Sequence, residues 1–127
     1  MSEKTIAEKL LIKPGRKVWF VNMPEGYPAQ LGALPDHVRL LAAPEKAVDL
    51  IQVFVASRRE LEELLPRLGA SLAPGGILWV TYHKGTSKIK TDINRDTINA
   101  YAQTIGLQGV AMISVDDDWS ALRLKQL

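Results

Sequence analysis

Three short loops carry the residues of this 127-residue chain whose types could do chemistry. The first holds Asn22, Glu25 and Tyr27, the second Ser57, Arg58 and Arg59, and the third His83 and Lys84. Arg58 or Lys84 beside the start of a helix would suit an anionic ligand, because unpaired first-turn amides and the helix dipole both favour negative charge. The plainer reading is that Ser57 only caps its helix, the two arginines are solvated, and residues 22–27 form a tight turn. His83 could act as a general base. Neither a nucleophile nor an orienting acid is evident for it, and His37 is no obvious partner. Asp116, Asp117 and Asp118 are hard-cation ligands by type. Consecutive carboxylates do not converge easily on one ion and the spacing is not that of a calcium loop, so a solvated hairpin turn is expected and no metal. Lys84, Lys88 and Lys90 could meet phosphates, yet no aromatic residue is interleaved with them for base stacking.

The elements that must position these loops are legible in the spacing of apolar residues. Ser57 and Glu60 form a capping box, and Leu61, Leu64, Leu65 and Leu68 follow as one apolar stripe. Pro66 deletes an amide bond back to Glu62 and predicts a kink or an early end. Gly75 and Gly76 then turn the chain into Ile77 to Tyr82, a run without polar alternation that reads as a strand buried on both faces. Thr5 and Glu8 form a second box on a short helix that ends by Pro14 and Gly15. Val18 to Val21, Val38 to Ala42 and Val48 to Ala56 read as further strands, with Pro28 suited to the first turn of a short helix between the first two. Only about five residues separate the second strand from the third, whereas a parallel crossover normally takes a dozen or more. An extended crossover without a helix is preferred over antiparallel pairing, because the third strand leads directly into the capped helix. A further helix begins near Asn94 and ends at Gly106. Val110 to Val115 and the alternating stretch around Leu122 and Leu124 predict a terminal antiparallel hairpin with one wet face, at the edge of the sheet. Trp19 and Trp79 sit within apolar strands and are assigned to the core; Trp119 could pack at an interface.

The expected architecture is therefore α/β: a compact, mostly parallel sheet flanked by helices, with a C-terminal antiparallel hairpin, in one domain over residues 1–127. A hydrophobic fraction of 46% suffices for a core at this length. Sixteen basic and fourteen acidic residues give a net charge of +2, which does not by itself imply nucleic acid. The absence of cysteine excludes disulfides, thiolate catalysis and cysteine metal sites. No apolar run approaches the roughly 20 residues of a membrane span, and the first residues lack the apolar core of a signal peptide, so a cytoplasmic protein is expected.

The order strand, helix, Leu-Ala-Pro-Gly-Gly, strand, helix, hairpin resembles the second half of class I S-adenosylmethionine-dependent methyltransferases, over about Val48 to Leu127. More narrowly, KLLIKPG at 9–15, VNMPEGY at 21–27, FVASRREL at 54–61 and VDDDWSAL at 115–122 resemble a family of small uncharacterised bacterial proteins with a truncated methyltransferase-like fold. The resemblance implies a Rossmann-like sheet with ligands at the carboxyl ends of its strands, where Asn22, Glu25, Tyr27, Ser57, Arg58, His83 and Lys84 would gather. The chain departs from the pattern in three places. Residues 21–27 hold one glycine and one proline where a glycine-rich turn usually lies, Leu40 to Pro44 holds no acid for the ribose, and no Asn-Pro-Pro-Tyr-like motif follows Val48 to Ala56. No cofactor is therefore expected, with S-adenosylmethionine as the alternative. The corresponding function is a module that binds a small anionic ligand or a protein partner; the alternative is a methyltransferase with an atypical cofactor loop.

Overall fold

A computed structural model describes residues 5–43, 45–85 and 91–127; Lys88 and Lys90 lie outside the described residues. The elements follow in the order α1 (Ile6–Lys9), β1 (Lys17–Val21), α2 (Tyr27–Leu31), β2 (Arg39–Leu41), β3 (Val48–Phe54), α3 (Arg58–Ser71), β4 (Leu72–His83), α4 (Arg95–Thr104), β5 (Leu107–Ser114) and β6 (Trp119–Gln126). The described strands form one sheet in the order β2-β1-β3-β4-β6-β5. The first four of these are mutually parallel. β6 runs antiparallel to both β4 and β5.

Local sequence explains most boundaries. Thr5 accepts a hydrogen bond from the Glu8 amide at 3.2 Å and Glu8 returns one to the Thr5 amide at 3.0 Å, the expected capping box. The box on α3 is shifted: Ser57 Oγ accepts from the Glu60 amide, but the Glu60 carboxylate reaches back to the Ala56 amide at 2.8 Å. In β4 the residues after Leu72 loop out of the ladder, since Leu72 is level with Val48 and Ile77 with Leu50. Gly75 there has φ +75°, and a Cβ on Gly76 would lie 2.9 Å from the Ala73 carbonyl oxygen. Both glycines of the Leu-Ala-Pro-Gly-Gly turn are thus needed by the backbone.

Two apolar layers cover the sheet. On one face Leu61, Leu65 and Leu68 of α3 and Ile98 and Ala102 of α4 pack on Ile51, Val53, Leu78 and Val80. On the other, Ala7 of α1, Leu10 just after it, and Tyr27 and Leu31 of α2 pack on Val18, Leu50, Phe54 and Trp79. Burial on both faces is what the unalternating runs of β3 and β4 require.

Three expectations are corrected. α3 does not end at Pro66 but continues to Ser71. The carbonyl that Pro66 leaves without its helical donor belongs to Glu62, and the Tyr101 hydroxyl donates to it at 3.3 Å; burial of Leu65 and Leu68 on either side offsets the lost bond. The alternation around Leu122 does not mark a wet face. β6 lies inside the sheet, so Ala121 is buried along with Leu122 and Leu124, and the exposed strand of the hairpin is β5. Finally, Trp119 stacks within the chain, as described below. The helix-free crossover holds: β2 and β3 flank β1 in parallel, joined only by the residues between Leu41 and Val48.

Candidate functional site

The carboxyl ends of β1, β3 and β4 lie at one end of the sheet, with Val21 level with Val53 and Phe54 level with Thr81. All three candidate loops therefore emerge together, as expected. A run of ring contacts lies beneath them. Phe20 meets Tyr27 edge-on at 6.0 Å, Tyr27 meets Phe54 at 4.8 Å, Phe54 meets Trp119 at 5.1 Å, and Trp119 stacks on His83 at 3.9 Å. Such pairs, mostly edge to face, each favour a fixed arrangement beyond simple burial.

The first loop leaves β1 through Asn22 at φ +59°, an angle that asparagine tolerates better than most residues, and reaches Gly26 at φ +84°. Asn22, Met23 and Glu25 face outward, and nothing lies within 4 Å of a Cβ built on Gly26. Tyr27 instead points inward and is 1% exposed. Its hydroxyl donates to Gln52 Oε1 at 2.7 Å, and Gln52 Nε2 donates to Thr81 Oγ1 at 2.9 Å. This buried ladder runs from α2 across β3 to β4. Burial holds the Tyr27 hydroxyl neutral well above the usual phenol range, against a smaller opposing effect of its hydrogen bond to Gln52.

The second loop is tied down. The Arg58 amide donates to Asp92 Oδ1 at 2.8 Å, and Thr91 Oγ1 donates to the Ala56 carbonyl at 2.7 Å. The Arg58 side chain pairs with Glu62 at 2.7 Å, which raises its already high pKa, and Arg59 pairs with Glu63 at 3.2 Å. Neither guanidinium is held towards Asn22 or His83 by these contacts. In the third loop His83 is buried, with Nδ1 lacking a hydrogen-bond partner among the described residues. Lys84 Nζ donates to Ser114 Oγ at 2.7 Å. A cavity of about 210 Å³ at this point is lined by Tyr82, His83, Lys84, Thr91, Ile93 and Asn94.

The structure thus groups Asn22 with Glu25 on the outer side of the first turn, Ser57 and Arg58 with Thr91 and Asp92, and His83 with Lys84 and Trp119. Sequence reading missed Gln52, Asp92 and Trp119 as parts of this end of the sheet. A lone amide inside the apolar run 48–56 was the one available signal for Gln52; the other two become neighbours only through the fold. Asp116 Oδ1 accepts from the amides of Asp118 and Trp119 at 2.8 and 2.9 Å, so that carboxylate shapes the hairpin turn.

With this geometry in place, comparison with solved structures is informative. A ribosomal protein L11 methylase from Lactobacillus delbrueckii subsp. bulgaricus superposes with a TM-score of 0.62 at 16% identity, over 94% of this chain and 74% of that one. An S-adenosylmethionine-dependent methyltransferase from Aquifex aeolicus gives 0.62 at 16%, over 93% and 88%. The fold is methyltransferase-like. A third neighbour with that fold, the 1,6-didemethyltoxoflavin-N1-methyltransferase of Burkholderia thailandensis, matches with a TM-score of 0.61 at 13%, over 95% and 76%, and holds S-adenosylhomocysteine. No protein-family model and no curated protein sequence matches the chain. The methyltransferase-like neighbours correct the expectation of no cofactor, because the Aquifex aeolicus neighbour is S-adenosylmethionine-dependent and the Burkholderia thailandensis one holds S-adenosylhomocysteine. The expectation rested on three departures: no glycine-rich turn after β1, no acid for the ribose at Leu40 to Pro44, and no Asn-Pro-Pro-Tyr-like motif after Val48 to Ala56. Asn22 and Gly26 both adopt left-handed φ, so a reversed and open backbone after β1 is reached here with a single glycine.

Proposed function

We propose that this chain binds an S-adenosyl nucleoside, S-adenosylmethionine or S-adenosylhomocysteine, over the carboxyl ends of β1 and β3. The observation that carries the proposal is the strand order: β2 lies on one side of β1 and β3 on the other, and ligands of open α/β sheets sit where the order reverses. The residues present suit such a ligand. The Glu25 carboxylate can accept from ribose hydroxyls, Met23 offers an exposed apolar surface to the adenine, and the turn at Asn22 and Gly26 leaves backbone groups open to the ligand. When bound, S-adenosylmethionine supplies an electrophilic methyl group on a sulfonium. A methyl acceptor would then lie towards the β4 end, where the cavity bearing His83, Lys84 and Asn94 supplies hydrogen-bonding groups. Binding of the small anion first suggested by Arg58 finds less support, since that side chain is already paired with Glu62.

Thermal unfolding and calorimetric titration with S-adenosylhomocysteine test this. Ligand at 100 times its dissociation constant adds about 2.7 kcal/mol, which for a chain this size raises Tm by roughly 10 °C. Glu25→Gln is expected to weaken binding about tenfold, consistent with the loss of a charge-assisted hydrogen bond. Absence of heat and of any Tm shift at about 1 mM ligand, a range far above a micromolar dissociation constant, would refute the proposal.

A further inference from the structure

The amino ends of the parallel strands, at the opposite end of the sheet from the proposed nucleoside turn, enclose a second concavity. Here the ladder between β3 and β4 is broken. Leu72 is level with Val48 and Ile77 with Leu50, so Asp49 is level with no residue of β4. The segment that loops out carries Pro74, Gly75 and Gly76, and a Cβ built on Gly75 would meet nothing within 4 Å. The breach borders a cavity of about 250 Å³. Leu11, Leu50 and Ile77 give it an apolar wall, and Lys13, Arg16 and Asp49 line it with charge.

Two features of that lining point to a ligand. The first is unbalanced charge. Asp49 Oδ2 already accepts from the Lys17 amide at 2.9 Å, and Oδ1 lies 3.7 Å from Arg16, too far for a direct hydrogen bond. Lys13 is exposed and has no partner among the described residues. Two cations therefore share one carboxylate that a backbone amide has engaged. The second feature is Leu11. Its amide donates to the Glu8 carbonyl at 3.1 Å and the Ile12 amide to the Ala7 carbonyl at 3.2 Å, the paired bonds of a Schellman turn that closes α1. The turning residue has φ +67°, where glycine is usual and leucine is strained. Residues held in such backbone cluster at ligand clamps.

We infer that this cavity binds a small organic carboxylate with an apolar body. Its carboxylate pairs with Lys13 and Arg16, the latter through the planar fork of donors that matches a carboxylate. Its hydrocarbon lies on Leu11, Leu50 and Ile77. A simple branched acid and an α-amino acid share this chemistry, and Asp49 is placed to receive the ammonium of the amino acid.

Amide NMR shifts of the full chain, followed as isocaproate, L-leucine or inorganic phosphate is added, test the inference. Saturable shifts at Leu11, Lys13, Gly75 and Gly76 are expected, with a dissociation constant of about 1 mM or below for at least one organic probe. Tighter binding of L-leucine, lost on Asp49→Asn, makes the ligand an amino acid; tighter binding of isocaproate makes it a simple acid. Lys13→Gln should weaken the preferred probe at least about tenfold, the worth of a hydrogen bond to a charged group. Leu11→Gly relieves the backbone, so Tm should hold or rise while binding weakens about tenfold through lost apolar contact. That pairing separates loss of the site from loss of the fold. Failure to saturate by about 10 mM, shifts reproduced by inorganic phosphate, or a Lys13→Gln variant that binds as the parent does would each overturn the inference.

Discussion

Among the described residues, those from Val48 onward form strands of seven, twelve, eight and eight residues and helices of fourteen and ten; those before it form strands of five and three and helices of four and five. The later region builds most of one layer, in which α3 and α4 bury leucine and isoleucine against β3, β4, β5 and β6, with Trp19, Val21 and Leu41 packed against it. The earlier region packs Ala7, Leu10, Ile12, Tyr27 and Leu31 on the other face and adds individual polar attachments to that layer. Trp79 Nε1 donates to the Leu10 carbonyl at 2.9 Å, Tyr27 donates to Gln52 at 2.7 Å, and Asp49 Oδ2 accepts from the Lys17 amide at 2.9 Å. The difference teaches that the region carrying the proposed nucleoside turn is docked onto a scaffold that could be retained while that turn varies.

The largest expected effect falls where the regions join. Trp79→Ala removes a fully buried ring and the bond to Leu10, and should cost about 3–5 kcal/mol in urea unfolding. A loss comparable to a surface substitution would break the comparison. Tyr27→Phe keeps the ring and removes the donor to Gln52, leaving a buried acceptor unpaired at a cost of about 1–3 kcal/mol. Hydrogen exchange should show that loss confined to α1, α2 and β1; equal loosening of α3 and α4 would contradict it.

A pH dependence follows from the same side chain. Tyr27 in the folded chain ionises well above the ordinary value of 10.0, so above that value the unfolded chain gives up a proton that the folded chain keeps. Stability is thus fully present below pH 10.0 and falls as pH rises towards the folded value. Tyr27→Phe should flatten the decline seen in urea titrations at alkaline pH. In the later region Ser57→Ala should cost only about 1 kcal/mol, the usual worth of such a cap. Leu40→Lys, on the exposed edge strand, should lie within about 0.5 kcal/mol of wild type. If the Ser57 change outweighed Tyr27→Phe, local capping rather than tertiary docking would dominate.

Much of the fold could be read from the sequence because each element announces itself locally. Thr5 with Glu8, Ser57 with the leucine stripe, and Asn94 with Gly106 all use chemistry between near neighbours. Where the reading failed, the deciding partner was remote. Nothing near Pro66 reveals that Tyr101, thirty-nine residues beyond Glu62, donates to the freed carbonyl. Alternation around Leu122 misled because strand order, not pattern, placed β6 inside the sheet. Of the site, the three loops were legible as the ends of strands, but not which side chains each would spend internally. Tyr27 went to Gln52, Arg58 to Glu62 and Lys84 to Ser114, pairings fixed by tertiary register and helix geometry. Of the three departures behind the cofactor expectation, one used glycine count in place of backbone shape, and Asn22 reaches φ +59° without being glycine.

The crossover between Leu41 and Val48 carries a consequence for how this sheet can grow. Elsewhere in the parallel part a helix spans each step, but here a short exposed segment that includes Ala42, Ala43 and Lys46 returns the chain past β1, with Ala47 at φ +58°. Loop closure becomes only slowly more costly with length, and exposed tips of small residues accept insertions. A whole strand-helix unit grafted at this point would add outside β2, lengthening the sheet without disturbing a single pairing of β3 to β6. The segment is a natural splice point, at which a protein engineer could extend the nucleoside-facing side of the molecule and leave its scaffold intact.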